Sequence, residues 1–144
     1  MKKIITSTIL FGMFAFATSL SAQSISSEHR KALQTDNIES FKKAVSKADY
    51  DKCLQVKEGK YTMLSYSIKN DKNNIFNFLL SNKSDVNKSC DGVTPLMIAA
   101  KYGRMDMAKN LLKNGADKSA KDANGKTAKD YAVQNKQDAM AMVL

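Results

Sequence analysis

The sequence predicts an all-α solenoid of stacked helix-turn-helix pairs joined by short hairpin loops. Three observations predict it. One segment, residues 90–122, carries the start, turn and stop signals of two consecutive helices. Related segments recur 32 residues upstream and 33 downstream of it. The apolar residues in the second half of each segment fall at helical spacing rather than in alternation.

The segment at 90–122 is the clearest copy. It opens Asp91-Gly92-Val93-Thr94-Pro95-Leu96-Met97-Ile98-Ala99-Ala100. Thr94 suits an N-cap, and Pro95 suits the first helical position, where its missing N–H costs nothing. Ala99 and Ala100 are small enough to let two helices approach closely. Gly103 can take the left-handed conformation that ends the first helix. Met107, Ala108, Leu111 and Leu112 give the second helix its apolar stripe, and Asn114-Gly115 marks the closing turn.

Upstream, Thr62-Met63-Leu64 matches Thr94-Pro95-Leu96, and Ile75, Phe76, Phe78, Leu79 and Leu80 match the second helix. That copy lacks the proline, the alanine pair and the glycines. Downstream, Asn124-Gly125-Lys126-Thr127-Ala128 opens a shortened copy whose second helix runs through Ala139, Met140 and Val143. A reduced terminal repeat is what a cap requires. The first copy is the most degenerate. Ser27 is placed at its cap, Asp36-Asn37 at its turn, and Ile38, Phe41, Ala44 and Val45 on its stripe.

The third copy closely resembles the ankyrin repeat: a G-x-T-P-L opening, an alanine pair, a mid-repeat glycine, a leucine pair and a G-A-D ending. Where that family usually carries histidine after the leucine, Met97 stands, and a local hydrogen bond is expected to be lost. The resemblance extends over residues 23–144, with repeats at about 27–53, 58–89, 90–122 and 123–144. One helix pair cannot bury its apolar face alone, so about three or more must share a core. The loop from Asp49 to Thr62 exceeds its counterparts, and its insertion, residues 54–60, is expected to protrude at the hairpin-tip edge.

The first 22 residues differ from the rest. Lys2 and Lys3 precede an apolar run from Ile4 to Ala17, followed by the small residues Ser19, Ser21 and Ala22. That is the order of a secretory signal peptide, with cleavage expected after Ala22 or Ser21. The run is shorter than the ~20 residues a spanning helix needs. Export to the periplasm or the extracellular space follows as an expectation, and the style of the signal suggests a bacterial envelope. Without residues 1–22 the chain keeps 21 basic against 14 acidic side chains, a net charge of +7. Such a charge favours acidic partners and electrostatically steered encounter.

Cys53 and Cys90 make an even count, which in an exported chain raises the prospect of a disulfide. Equivalent positions in adjacent repeats lie beyond the ~7 Å between Cα atoms that a bridge tolerates. The longer first loop could close that gap, which leaves one disulfide or two thiols open. Catalysis finds little support, and an enzyme is the least favoured alternative. The carboxylates are scattered, His29 is the single histidine and has no nucleophile near it in any recognised motif, and no phosphate-cradling loop occurs. No cofactor, metal ion or nucleic-acid partner is expected, and the methionines Met105, Met107, Met140 and Met142 are assigned to the core rather than to metal.

The family resemblance implies recognition of a protein partner by a monomer through a concave face. That face is built from the residues before each Thr cap and those ending each first helix. Carried over by position, the loop set holds Glu58, Gly59 and Tyr61, then Cys90, Asp91 and Val93, then Ala123, Asn124 and Lys126. The helix-end set holds Gln34 and Thr35, Lys69 and Asn70, Lys101 and Tyr102, and Gln134 and Asn135. The expected contacts are Tyr61, Lys69, Asn70, Asp91, Val93, Lys101, Tyr102, Asn124 and Lys126, because exposed aromatics beside positive charge are typical of binding hot spots. An anionic envelope component, a polyanion or a lipid surface, is the alternative ligand.

Overall fold

The computed structural model describes residues 26–144 apart from residue 58. The segment assigned above to a signal peptide, residues 1–22, lies outside the described residues, as does Glu58. Four helix pairs follow one another: α1 (Ser27–Thr35) with α2 (Ile38–Ala44), α3 (Met63–Lys69) with α4 (Asn73–Ser81), α5 (Pro95–Lys101) with α6 (Met105–Lys113), and α7 (Ala128–Gln134) with α8 (Asp138–Val143). No helix among the described residues is long and apolar enough to cross a membrane.

Each first helix starts on a hydroxyl cap. The side chains of Thr62, Thr94 and Thr127 accept the backbone N–H of the residue three further on, satisfying a donor the helix cannot. In the first pair the cap is Ser26, whose Oγ accepts from the His29 N–H, and not Ser27 as expected from the sequence. Two adjacent serines offer the same chemistry, and the one in extended backbone takes the role. Met97 also departs from expectation. The Thr94 N–H donates to its Sδ at 3.4 Å, so the thioether stands in as a weak acceptor and completes a capping box.

The turn inside each pair needs one left-handed residue. Gly103 supplies it at φ +64°, while Asp36, Asp71 and Lys136 adopt it without being glycine. Two of these acids serve the next repeat. The Asp36 carboxylate accepts the N–H groups of Asn74 and Ile75 at 3.1 and 3.0 Å, capping α4, whose own cap residue Lys72 makes no side-chain bond to the first turn. Asp71 pairs with Arg104 at 3.0 Å. The loop ends are tied in the same sense: Asp51 accepts from the Asp85 N–H, and Asn87 from the Asp117 N–H.

The core runs unbroken through the stack. α5 packs between α3 and α7, and Pro95 to Ala100 are all buried. Fully buried Phe41, Phe76, Met63 and Leu111 are among its largest side chains, each contributing ~2 kcal/mol or more on transfer from water. Phe41, Tyr50 and Phe78 form an aromatic cluster with ring centroids 5.7–6.2 Å apart. Met107 and Met140 are buried and Met105 is half-buried, but Met142 is 86% exposed and is not part of the core. Helical spacing alone could not place it, because a period assigns a residue to a face of α8 and not to what packs on that face.

The long first loop is built as a hairpin. It contains β1 (Leu54–Val56) and β2 (Gly59–Tyr61), paired antiparallel with Leu54 opposite Tyr61. Leu54 is 4% exposed and plants the base of the hairpin in the core. The next loop forms a smaller hairpin, in which Cys90 and Val93 exchange backbone bonds around Asp91-Gly92. Both central residues have positive φ, 51° and 79°, the tight turn for which Asp-Gly is suited. Gly92 also lies close under the following loop, where an added Cβ would stand 3.1 Å from the Ala123 nitrogen.

Candidate binding face

The two hairpins meet on the face made by the loops and the first helices. A disulfide joins Cys53, just before β1, to Cys90 in the next loop, with Cα atoms 5.7 Å apart. The insertion in the first loop brings the two cysteines within reach, at positions that a regular stack would separate. Lys60 on β2 reinforces the junction, its Nζ 3.2 Å from the Asp91 carboxylate. The left-handed backbone at Asp91 places that carboxylate at the tip of the turn, facing β2.

The hairpin divides the face into two clefts. The first, about 250 Å³, lies on the side of β2 and is lined by Tyr61, Asp91, Val93, Ile98, Lys101 and Tyr131, with Gly59, Lys60 and Cys90 completing it. The second, about 290 Å³, lies on the side of β1 and is lined by Arg30, Val56, Lys57, Tyr66, Lys69 and Asn70. Of the contacts expected from the sequence, Tyr61, Asp91, Val93 and Lys101 therefore converge on one cleft, and Lys69 and Asn70 on the other. Tyr102 is half-buried beside Lys101, whose ammonium lies 5.6 Å from its ring. Asn124 and Lys126 line neither cleft. Asn124 is exposed on the last loop, and the Lys126 Nζ donates to Gln134 at 3.3 Å.

Seven lining residues were missed by sequence reasoning: Val56, Lys57 and Lys60 on the hairpin, and Arg30, Tyr66, Ile98 and Tyr131 on the first helices. Each of the last four stands four residues after the N-cap of its repeat, so together they form one column across the stack. The signal was available, since tyrosine recurs at that offset from both Thr62 and Thr127.

The polar groups of the first cleft are largely matched internally. The Lys69 Nζ lies 3.3 Å from the Tyr61 hydroxyl and 4.7 Å from the ring centroid, while Tyr61 packs edge-on against Tyr66 at 6.2 Å. The Tyr131 hydroxyl donates to Asp122 at 2.7 Å. Burial and that bond to a carboxylate push the Tyr131 phenol up to about 12. Asp122 also accepts the N–H groups of Lys126 and Asn124. These bonds, the one from Lys126 foremost, hold its carboxyl below the usual range. Asp122, 9% exposed, thereby fixes both the last loop and the ring that walls the cleft.

Among the described residues no three His, Cys, Asp or Glu side chains are grouped so as to hold a metal ion. His29 is half-buried on α1.

A preformed face of loop tips and first helices, carried on stacked helix pairs, defines a solenoid built for recognition. The family described as ankyrin repeats (3 copies) matches residues 29–122 and again 64–144, and the chain belongs to the ankyrin-repeat family. Members of that family are generally protein–protein interaction modules and are typically non-catalytic. No curated protein matches the chain.

Proposed function

We propose that this chain is exported and binds a protein of the bacterial envelope through its concave loop-and-helix face, centred on the cleft between β2 and α7. The observation that carries this reading is the convergence of Tyr61, Val93, Ile98 and Tyr131 with Lys101 on one cleft, drawn from a hairpin, a loop and two helices. Apolar and aromatic surface beside positive charge is the composition of interface hot spots. A surface held by rigid elements loses little entropy on binding. Export is supported by the Lys2-Lys3 head, the apolar run after it and a cysteine pair suited to an oxidising compartment.

The test is capture from an envelope extract with the processed chain, residues 23–144, in parallel with a variant carrying Tyr61, Lys101 and Tyr102 changed to Ala. One protein retained by the first and lost by the second is the expected result. Retention by both would place the contact elsewhere on the molecule. Recovery of anionic glycan or lipid alone, released by moderate salt, would replace the protein partner with a polyanion.

A further inference from the structure

The charges on this face are distributed unevenly. Four positions in each repeat build it: the residue before the cap and the fourth, seventh and eighth after it. At these positions the described residues include Arg30, Lys69, Lys101 and Lys126, one cation per repeat, and no carboxylate. Asp91 lines the first cleft, and other described acids lie at the inner turns (Asp36, Asp71) and in the loops (Asp51, Asp117, Asp122). In the first cleft Lys60 is matched by Asp91, whereas among the described residues no carboxylate pairs with Lys101, whose ammonium lies beside the Tyr102 ring. Its apolar floor is Val93 and the 5% exposed Ile98, walled by two tyrosines. A volume of about 250 Å³ admits one large side chain.

We propose that the partner presents an acidic segment, with one aromatic or branched apolar side chain seated between Tyr61 and Tyr131 on Val93 and Ile98, and an adjacent carboxylate on Lys101. This rests on the protein-partner reading and adds the chemistry of the segment. The apolar anchor supplies most of the affinity, since rim ion pairs in water contribute little each. Lys101 fixes the polarity of the segment in the cleft and disfavours a basic residue beside the anchor, which would meet like charge there.

The experiment is selection from a random heptapeptide library displayed on phage, using the disulfide-bonded protein, followed by affinity measurement on the winning synthetic peptide by fluorescence anisotropy. The expected winners place Asp or Glu next to Phe, Tyr, Leu or Ile. Lys101→Glu should weaken the winning peptide about tenfold. Lys109→Glu makes the same charge change on exposed α6, away from both clefts, and should alter affinity less than twofold. Matching thermal unfolding of the two variants establishes that both are folded. Winners without an acid, equal loss in both variants, or no enriched sequence at all would each overturn the inference. Protein capture that depends on Tyr61, Lys101 and Tyr102 would leave the broader function standing in that event.

Discussion

Reducing the Cys53–Cys90 bond should destabilise the chain by an amount that its loop length sets. The two cysteines are 37 residues apart in sequence. In the chain-entropy account, closing a loop of that size removes about 13 cal/mol/K from the unfolded ensemble, or about 4 kcal/mol at 25 °C. Native strain and residual unfolded structure lower that figure, so the expected loss is roughly 2–4 kcal/mol. Against a total stability of about 5–15 kcal/mol, this is a large fraction, and it corresponds to a fall in melting temperature of roughly 10 °C. The assay is urea unfolding followed by circular dichroism at 222 nm, on the oxidised protein, the protein in dithiothreitol, and a Cys53→Ala/Cys90→Ala variant. Alanine is preferred to serine because Cys90 is buried and a hydroxyl there would be desolvated. The loss should be local in origin, because each repeat of a solenoid depends on its neighbours alone. Amide exchange should therefore rise first in α1, α2 and the hairpin, while α5 keeps its protection. Equal midpoints for the oxidised and reduced protein would refute the reasoning. Two titratable thiols per chain in the denatured, unreduced protein would refute the pairing itself.

Four further outcomes follow from particular residues. Lys136→Gly should stabilise the fold by about 0.5–1 kcal/mol in thermal unfolding, since Lys136 holds φ +56° with no side-chain bond in return, unlike Asp36 and Asp71 at the same turn. Leu111→Ala should cost about 3 kcal/mol in urea unfolding by leaving a cavity in the α6 stripe. Spectrophotometric titration should show a tyrosinate step near pH 12 that Tyr131→Phe removes. The raised pKa means that the stability tied to the neutral phenol is whole below about pH 10 and is lost as pH rises through 12. Asp122→Asn should lower the melting temperature at pH 7, with the difference from wild type shrinking at acid pH. A depressed carboxyl contributes stability above its unfolded value of 3.8 that disappears as pH falls through the lower native value.

The helices were legible because their signals are local. Thr94 and Pro95 fix a start within two residues, Gly103 fixes a stop, and the stripe of Met107, Ala108 and Leu111 needs only a period of 3.6. What the sequence hid depends on contacts distant along the chain. The insertion at 54–60 has a strand pattern too short to stand out. Its order comes from Leu54 in the core and from two links to the next loop, one through Cys90 and one through Asp91. The choice of Ser26 over Ser27 turns on a single extended φ/ψ pair. At the site, helix ends and loop tips were counted from the repeat, which found Tyr61, Val93 and Lys101. The column four residues after the cap does not stand out in the sequence, because Ile98 and Tyr131 sit in helices beside buried residues such as Ala99 and Ala132.

A regular stack of helix pairs offers the same groove from repeat to repeat, and equal grooves select nothing. The insertion breaks that equivalence. By entering the face between the first and third repeats, β1 and β2 turn one continuous surface into two clefts of different character. One is ringed by Arg30, Lys57 and Lys69, and the other has an apolar floor with Lys101 at its edge. A two-strand hairpin is marginal on its own. The position of this one is held by Leu54 beneath, Cys53–Cys90 at its base and Lys60–Asp91 along its second strand. Removing the covalent tie should therefore blur the boundary between the clefts before it unfolds the helices. Peptide affinity in the β2 cleft should fall in dithiothreitol at temperatures where the helical signal is still complete. Parallel loss of affinity and helicity would instead mean that the hairpin and the stack fold as one unit.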